Sequence, residues 1–340
     1  MRWLIPLLLC APACTGNVGG DTSPEVTLPI VEAGRWSPRL GSATVSLIDL
    51  GGPMLDIVVA NPTRFEVDVF AAVEGEWSLV ASGFSGKNGA NEIVGAHVGG
   101  RPVVLARSEN EVTLLAGVLG EPHRLRFPVS VYSGRGVLHD IDAADVDGDG
   151  DDELLVVGQQ GAAIVELIPA LDAHPEQPPS RSETETLVEV GVDMNAIGAA
   201  DIDDDGNFEI VVATPDVARV YRGEERLDIE LDAPAEQVAR VACSGRGGLL
   251  GLAGGERRQI AAASDGYRLV AAEPADRLAS SDQHLATLVG IDLTIREPCG
   301  AALGSLVVRD ATDFALGDEL LVVLGDELIV YEVGGASIAP

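Results

Sequence analysis

The sequence predicts an all-β fold, and three observations support this expectation. First, 46% of the 340 residues are hydrophobic but only 4% are aromatic. Second, the chain contains 40 glycines and 19 prolines, a composition that suits many short strands and turns better than disorder. Third, its apolar runs are short and rich in β-branched residues, which favour strands over buried helices.

One apolar unit recurs along the chain from about Trp36 onward. Each copy has a strand, an acidic or glycine-rich turn, a central β-branched run, a second turn and a further strand. Successive copies start about 46 to 60 residues apart, which is the range of one propeller blade. The six central runs occupy residues 56–60, 102–106, 153–157, 209–213, 259–263 and 319–323.

A four-stranded blade cannot bury both of its faces alone, whereas a radial arrangement of blades covers the faces and leaves only short edges. We therefore expect residues 36–335 to form a single β-propeller of four-stranded antiparallel blades. Six blades are expected, with seven as the alternative, because only residues 275–304 leave room for a further, degenerate blade. An N-terminal strand near residues 26–31 or 43–48 is expected to close the ring by pairing with residues 328–333.

Two acidic segments interrupt the repeat at matched positions. Residues 145–153 are Asp-Val-Asp-Gly-Asp-Gly-Asp-Asp-Glu, and residues 201–209 are Asp-Ile-Asp-Asp-Asp-Gly-Asn-Phe-Glu. Acids at positions 1, 3 and 5 can converge on one point, and the glycine at position 6 permits a tight backbone reversal. Crowded carboxylates are costly without a cation, and oxygen ligands in an irregular loop favour Ca²⁺. A solvated acidic turn is the alternative, but it does not explain the second copy.

An EF-hand is excluded because position 12, where that loop requires glutamate, is Val156 in one segment and Val212 in the other. The pattern instead resembles the calcium loops of FG-GAP repeats, also called VCBS-type repeats. In that family D-x-D-x-D-G-x-x-D lies between two apolar strands, as in integrin α-subunit propellers and bacterial surface proteins. Both segments here depart from the family by ending on glutamate.

The resemblance implies two Ca²⁺ sites and assigns their ligands by position. The first site comprises Asp145, Asp147, Asp149, the carbonyl of Asp151, and Glu153; the second comprises Asp201, Asp203, Asp205, the carbonyl of Asn207, and Glu209. Residues 49–56 and 310–319 are degenerate relatives of these loops, and we expect no ion in either.

The formal net charge is -32, from 22 basic and 54 acidic residues. Such a field repels nucleic acid and anionic lipid, so neither is expected as a direct partner. Membrane association is expected only through an N-terminal lipid anchor.

Residues 1–13 predict a signal peptide, with a short apolar core at residues 3–9. Small residues directly before Cys14 resemble a bacterial lipoprotein cleavage site, so Cys14 is the expected lipidation site; ordinary signal-peptidase cleavage is the alternative. Residues 14–35 are expected to be a flexible tether. Either cleavage exports the chain, to the bacterial outer membrane as a lipoprotein or to the periplasm or cell surface. In that oxidising compartment Cys243 and Cys299 form the expected disulfide.

No catalytic motif of the G-x-S-x-G or H-E-x-x-H kind occurs, and the five histidines are scattered among different units. We therefore expect a non-enzymatic, calcium-binding propeller lipoprotein, a binding, adhesion or scaffold module for an unknown protein or glycan ligand. Two alternatives stay open: a Ca²⁺-dependent polysaccharide lyase or hydrolase, and a structural subunit of an envelope assembly.

Overall fold

Seven antiparallel sheets follow one another along the chain and form a seven-bladed β-propeller. The computed structural model describes residues 28–334 except 39–40, 119–120, 127, 135, 170–178, 204, 224, 232–233, 244–245, 254, 264–265, 282 and 298–301. The described residues contain strands and turns but no helix, and hence no helix that could cross a membrane. The expected all-β propeller is confirmed, with seven blades rather than six.

Blades 1 to 3 each begin with the strand nearest the propeller axis and proceed outward. Their strands are, for blade 1, β2 (Thr44–Ile48), β3 (Asp56–Asn61), β4 (Glu66–Val73) and β5 (Glu76–Phe84); for blade 2, β6 (Glu92–Val98), β7 (Arg101–Arg107), β8 (Glu111–Val118), the short β9 (Glu121–Leu125) and β10 (Val129–Ser133); and for blade 3, β11 (Leu138–Ala144), β12 (Glu153–Gly158), β13 (Gly161–Ile168) and β14 (Ser180–Val190).

Blades 4 to 6 have the same order, and blade 7 takes its fourth strand from the N-terminal part of the chain. The strands are, for blade 4, β15 (Ala196–Ala200), β16 (Glu209–Ala213), β17 (Val217–Arg222) and β18 (Glu225–Glu230); for blade 5, β19 (Ala235–Cys243), β20 (Arg246–Ala253), β21 (Glu256–Ala263) and β22 (Gly266–Pro274); for blade 6, β23 (Arg277–Ser280), β24 (Leu285–Val289), β25 (Asp292–Arg296) and β26 (Ala302–Val307); and for blade 7, β27 (Asp313–Leu316), β28 (Leu320–Leu324), β29 (Leu328–Val333) and β1 (Ile30–Trp36).

The ring is closed by β1, which pairs antiparallel with β29 from Ile30 opposite Val333 to Trp36 opposite Leu328. Closure by an N-terminal strand is therefore confirmed, but β1 overlaps the expected segment 26–31 only at Ile30 and Val31 and continues to Trp36. The other segment, residues 43–48, largely forms β2, the inner strand of blade 1. The expected tether is too long at its C-terminal end, because residues 30–35 belong to β1.

The additional blade is blade 6, and its strands β23 to β26 lie largely within residues 275–304, the segment that left room for it. The sequence predicts one blade too few because blade 5 is hard to recognise. Its second strand, β20, contains three glycines, which are depleted in strands, so the apolar run is hard to see in the sequence. The run 259–263, expected to be a central strand, instead belongs to β21, the third strand of its sheet.

The apolar cores lie between neighbouring blades rather than within them. Between blades 2 and 3, for example, Leu105, Leu114 and Leu154 are fully buried against one another's sheets. Near the axis the strands are so close that a Cβ on Gly198 would lie 2.7 Å from Val238 Cγ1 of the next blade. Each blade thus needs its neighbours to complete a core, as the radial argument requires.

Polar side chains also join the inner strands of adjacent blades. The Ile197 N–H donates to Asp140 Oδ2 at 2.9 Å, and the Val45 N–H donates to Asp313 Oδ2 at the same distance. Between blades 5 and 6, the Leu278 N–H donates to Gln237 Oε1 at 3.3 Å. These three acceptors satisfy backbone donors on inner strands, whose edges have no further strand to pair with.

Asp313→Ala is expected to lower the free energy of unfolding by about 1–3 kcal/mol, because it leaves the Val45 N–H and the Thr44 hydroxyl without their acceptor. Denaturant titration followed by circular dichroism measures the change. Asp313→Asn is the matched control, since its amide oxygen can still accept these bonds. If both variants lost the same free energy of unfolding, the hydrogen-bond acceptor would not be the cause, because the two variants share only the loss of the charge.

Candidate metal centre

The two acidic loops connect the inner and second strands of blades 3 and 4. Each loop ends on a glutamate that is the first residue of its second strand, Glu153 in β12 and Glu209 in β16. These side chains are only 5% and 0% exposed, because the strands that they begin are buried along their whole length. The fold therefore places one carboxylate of each loop inside the protein.

The aspartate at position 1 organises the backbone of each loop. In blade 3 the Gly148 and Gly150 N–H groups donate to Asp145 Oδ1 and Oδ2, at 2.8 and 3.0 Å. In blade 4 the Asp205 and Gly206 N–H groups donate to Asp201 in the same way. The glycine at position 6 has φ of 97° in blade 3 and 87° in blade 4. The reversal expected at this glycine is confirmed, since such angles are strained for other residues.

Three of the five expected ligands converge in each loop. Oxygens of Asp145, Asp147 and Glu153 lie within 4.8 Å of one another, as do oxygens of Asp201, Asp203 and Glu209. The position-5 aspartates, Asp149 and Asp205, are exposed and lie outside these groups. The structure therefore brings together positions 1, 3 and 9 and leaves position 5 apart.

Position 7 differs between the loops. The Asp151 carboxylate accepts the Gly99 N–H at 2.5 Å and so joins the loop to the β6–β7 turn of blade 2. The next residue strengthens this link, because Asp152 Oδ2 accepts the His97 N–H at 2.6 Å. In blade 4, the Asn207 amide donates to Asp205 Oδ1 at 3.0 Å. Neither bond uses the backbone carbonyl of position 7, which is the atom expected to contact an ion there.

The buried glutamates carry an electrostatic penalty. Burial, followed by the nearby Asp147, Asp149 and Asp145, raises the pKa of Glu153 to about 7. Burial and the charge of Asp203 raise the pKa of Glu209 in the same direction. Each glutamate accepts one loop N–H, from Val146 or Ile202, but Glu209 Oε1 accepts no hydrogen bond from the described residues. A buried oxygen that faces two aspartates and has only the Arg222 guanidinium, 3.9 Å away, as an ion-pair partner is able to bind a cation, and its oxygen neighbours suit a divalent one.

Arg222 distinguishes the two loops, and it was missed from the sequence. Its Nη1 lies 3.1 Å from Asp203 Oδ2, its Nε lies 3.9 Å from Glu209 Oε1, and its guanidinium also pairs with Asp205. Arg222 ends β17, opposite the start of β16. Extending the register of β12 and β13 by one residue puts Glu166, an exposed acid, at the corresponding position of blade 3.

Blade 1 has a related arrangement, although its loop was expected to hold no ion. Asp56 begins β3, is fully buried, and accepts the Leu50 N–H at 3.2 Å, as the two glutamates accept theirs. Its other oxygen, Oδ1, lies 2.6 Å from His123 Nδ1. His123 comes from β9 of blade 2 and has a left-handed backbone with φ of 65°. Burial raises the pKa of Asp56, and His123 opposes that shift.

The segment between β8 and β10, which contains β9 and His123, also forms a cleft between blades 1 and 2. The cleft has a volume of about 960 Å³ and is lined by β5 and by residues around β9 and β10. Phe84 is 49% exposed there, and Arg124 and Arg126 lie along the same cleft. Arg124 pairs with Glu121. Two arginines beside exposed apolar surface are notable in so acidic a chain.

The remaining site expectations have mixed outcomes. Residues 310–319 do not form a loop like the other two, because β27 occupies Asp313–Leu316. Cys14 and Cys299 lie outside the described residues, and so does the side chain of Cys243; the signal peptide and most of the tether lie outside as well. Lipidation and the disulfide remain predictions.

Comparisons with known proteins support the fold. The chain is similar to the structure of Saccharomyces cerevisiae Sqt1 (TM-score 0.59, 10% identity, covering 90% of this chain and 86% of that one). It is also similar to BBS1N in complex with ARL6DN (TM-score 0.62, 13% identity, covering 92% and 99%) and to the β-propeller domain of Myceliophteria thermophila Cps50 (Swd1) (TM-score 0.59, 13% identity, covering 89% and 99%). No family model and no curated protein matches the sequence. At these identities the likeness establishes the propeller fold alone.

Without divalent ions, the raised pKa of Glu153 is expected to make stability fall as pH rises. Between the ordinary value of 4.5 and about 7, the folded state keeps a proton that the unfolded state releases, so raising the pH favours unfolding; above 7 the effect levels off. Denaturant titrations of wild type and Glu153→Gln in the presence of a chelator, from pH 5 to 8, measure this decrease in stability.

The variant serves as the control for all other carboxylates, because its amide does not titrate. The stability of wild type relative to Glu153→Gln should decrease across this range. A difference between the two proteins that stays constant with pH would show that Glu153 titrates normally in the folded state.

Proposed function

We propose that this protein is a non-enzymatic, calcium-binding β-propeller that serves as a binding or scaffold module at the bacterial cell envelope. The observation that carries the proposal is the convergence of three carboxylates in each of two matched loops, one of them buried at the start of a strand. Oxygen-only donors in an irregular loop suit Ca²⁺ better than Mg²⁺, which requires near-ideal octahedral geometry.

Calcium would act on stability rather than on chemistry. Like charges within 4.8 Å repel by on the order of 1–3 kcal/mol per pair at the effective dielectric of a partly exposed site. A divalent ion among them removes this cost in the folded state only, so it stabilises that state by mass action. Because the blade 3 loop is hydrogen-bonded to blade 2 through Asp151 and Asp152, the ion would also stiffen the contact between these blades.

The binding role is supported by the fold and by the cleft between blades 1 and 2. BBS1N, one of the similar structures, is in a complex with another protein, so a propeller of this size can present a protein-binding surface. In this chain the cleft combines exposed Phe84 with Arg126, a pairing suited to a protein or glycan ligand that carries an anionic group.

A hydrolase or lyase is less well supported. A glycan-cleaving site needs an acid–base pair that is free to transfer protons. Along the cleft, however, Glu121 pairs with Arg124, and His123 is held against buried Asp56. Export and lipidation at Cys14 rest on the N-terminal sequence pattern, and with them the envelope location.

Adding Ca²⁺ to chelator-treated protein is expected to raise the melting temperature by several degrees, and Asp147→Ala is expected to reduce that rise because it removes a converging ligand. Differential scanning calorimetry measures both effects. Asp292→Ala removes an exposed acid from a hairpin of blade 6 and serves as the matched control. A melting temperature that does not respond to Ca²⁺ in wild type would rule out the proposed structural ion.

A further inference from the structure

Three blades place a buried carboxylate at the same point of the fold. Asp56, Glu153 and Glu209 each begin the second strand of their sheet. Each accepts an N–H from the second residue of its loop, at 3.2, 2.9 and 2.7 Å respectively. The three positions are therefore structurally equivalent, although their loops differ in length and sequence.

What differs is the group that faces the second oxygen of each carboxylate. In blade 1 the group is the His123 imidazole, 2.6 Å from Asp56 Oδ1. In blade 4 the group is the Arg222 guanidinium, which contacts Asp203 and Asp205 and lies 3.9 Å from Glu209 Oε1. In blade 3 no Arg, Lys or His of the described residues forms an ion pair with Asp145, Asp147 or Glu153, and the cross-strand residue is Glu166.

We infer that Arg222 is a built-in cation that competes with a divalent ion in blade 4, so that the blade 3 loop is the high-affinity Ca²⁺ site and the blade 4 loop a weak one. This inference rests on the proposed calcium function and assigns different roles to two loops whose sequences look alike. It also makes residue 222, and its counterpart Glu166, the positions that set the metal affinity of each loop.

Arg222 and a divalent ion would compete for the same carboxylates of the blade 4 loop. The Arg222 guanidinium, which pairs with Asp203 and Asp205, offsets one of the negative charges of the loop and engages a converging oxygen, so it weakens the attraction for a second cation. A divalent ion must then displace Arg222 or approach it closely. Arg222 is half-exposed, with 45% of its side chain accessible, so displacement is sterically possible but loses the existing ion pairs. In blade 3 an ion meets three carboxylates and the negative charge of Glu166.

The tyrosine beside blade 4 allows the two sites to be told apart. The Tyr267 hydroxyl lies 3.5 Å from Asp203 Oδ2. Tb³⁺ takes the same oxygen ligands as Ca²⁺ and luminesces when a neighbouring tyrosine transfers excitation energy to it. The part of the terbium luminescence that is lost in Tyr267→Phe therefore reports on occupancy of the blade 4 loop. Because the Tyr267 hydroxyl is hydrogen-bonded to Asp203, Ca²⁺ calorimetry of Tyr267→Phe must show an unchanged affinity for this comparison to hold.

The test combines Ca²⁺ calorimetry with terbium luminescence on the full chain. Wild type should bind one tight Ca²⁺, lost in Asp147→Ala and kept in Asp203→Ala. Arg222→Gln should tighten binding at blade 4 about tenfold and give strong Tyr267-dependent luminescence, whereas Arg222→Lys, which keeps the charge, should behave like wild type. Glu166→Arg should weaken the blade 3 site by a similar factor, and the double variant Glu166→Arg, Arg222→Gln should move the tight site to blade 4.

The outcomes separate this inference from the function on which it rests. Two ions bound with equal affinity by wild type, and unchanged in Arg222→Gln, would overturn the role of Arg222 while leaving calcium binding intact. No heat of Ca²⁺ binding in wild type or in any folded variant would overturn the proposed function itself. Circular dichroism of each variant shows whether it is folded; Arg222 and Glu166 are on the exposed surface, so their substitution should preserve the fold.

Discussion

The constraint on which this propeller depends is a carboxylate buried where a loop becomes a strand. One oxygen of each such carboxylate accepts an N–H from the loop and so anchors it to the strand, while the buried charge of the group still needs a partner. Asp56, Glu153 and Glu209 all meet this constraint at the same point of their blades. The chain resolves it in different ways, with an imidazole from the neighbouring blade, with a guanidinium from the next strand, and, as we propose, with a divalent ion.

The remaining architecture follows from the need of each sheet for two neighbours. The cores lie between blades, and polar acceptors such as Asp140 and Asp313 join inner strands that have no further strand to pair with. The first acidic loop adds a third kind of connection, since its Asp151 and Asp152 bind backbone donors of blade 2. The hydrogen bonds of this loop and the packing between blades 2 and 3 are therefore coupled.

Much of this could be predicted from local sequence patterns. Periodic β-branched runs identify strands of blades 1 to 4 and of blade 7, and the matched acids identify both loops and the glycine reversal. The number of blades could not be predicted, because the glycines in β20 weaken its strand pattern. The run in β21 then resembles the central strand of its blade, and the distance from it to the next run is wide enough to contain blade 6. His123 and Arg222 were missed for another reason. Their contacts depend on pairing register and on an insertion between blades, and neither can be obtained from the spacing of residues along the chain.

Closure by β1 has a consequence for how the molecule is made. Strand β1 (Ile30–Trp36) is synthesised before the other described strands of the propeller, but its partner, Leu328–Val333, follows about three hundred residues later in the sequence. Until β29 is made, β1 has no sheet to join and the ring stays open at an unpaired edge. Contacts so distant in sequence form slowly, and exposed edges invite wrong partners.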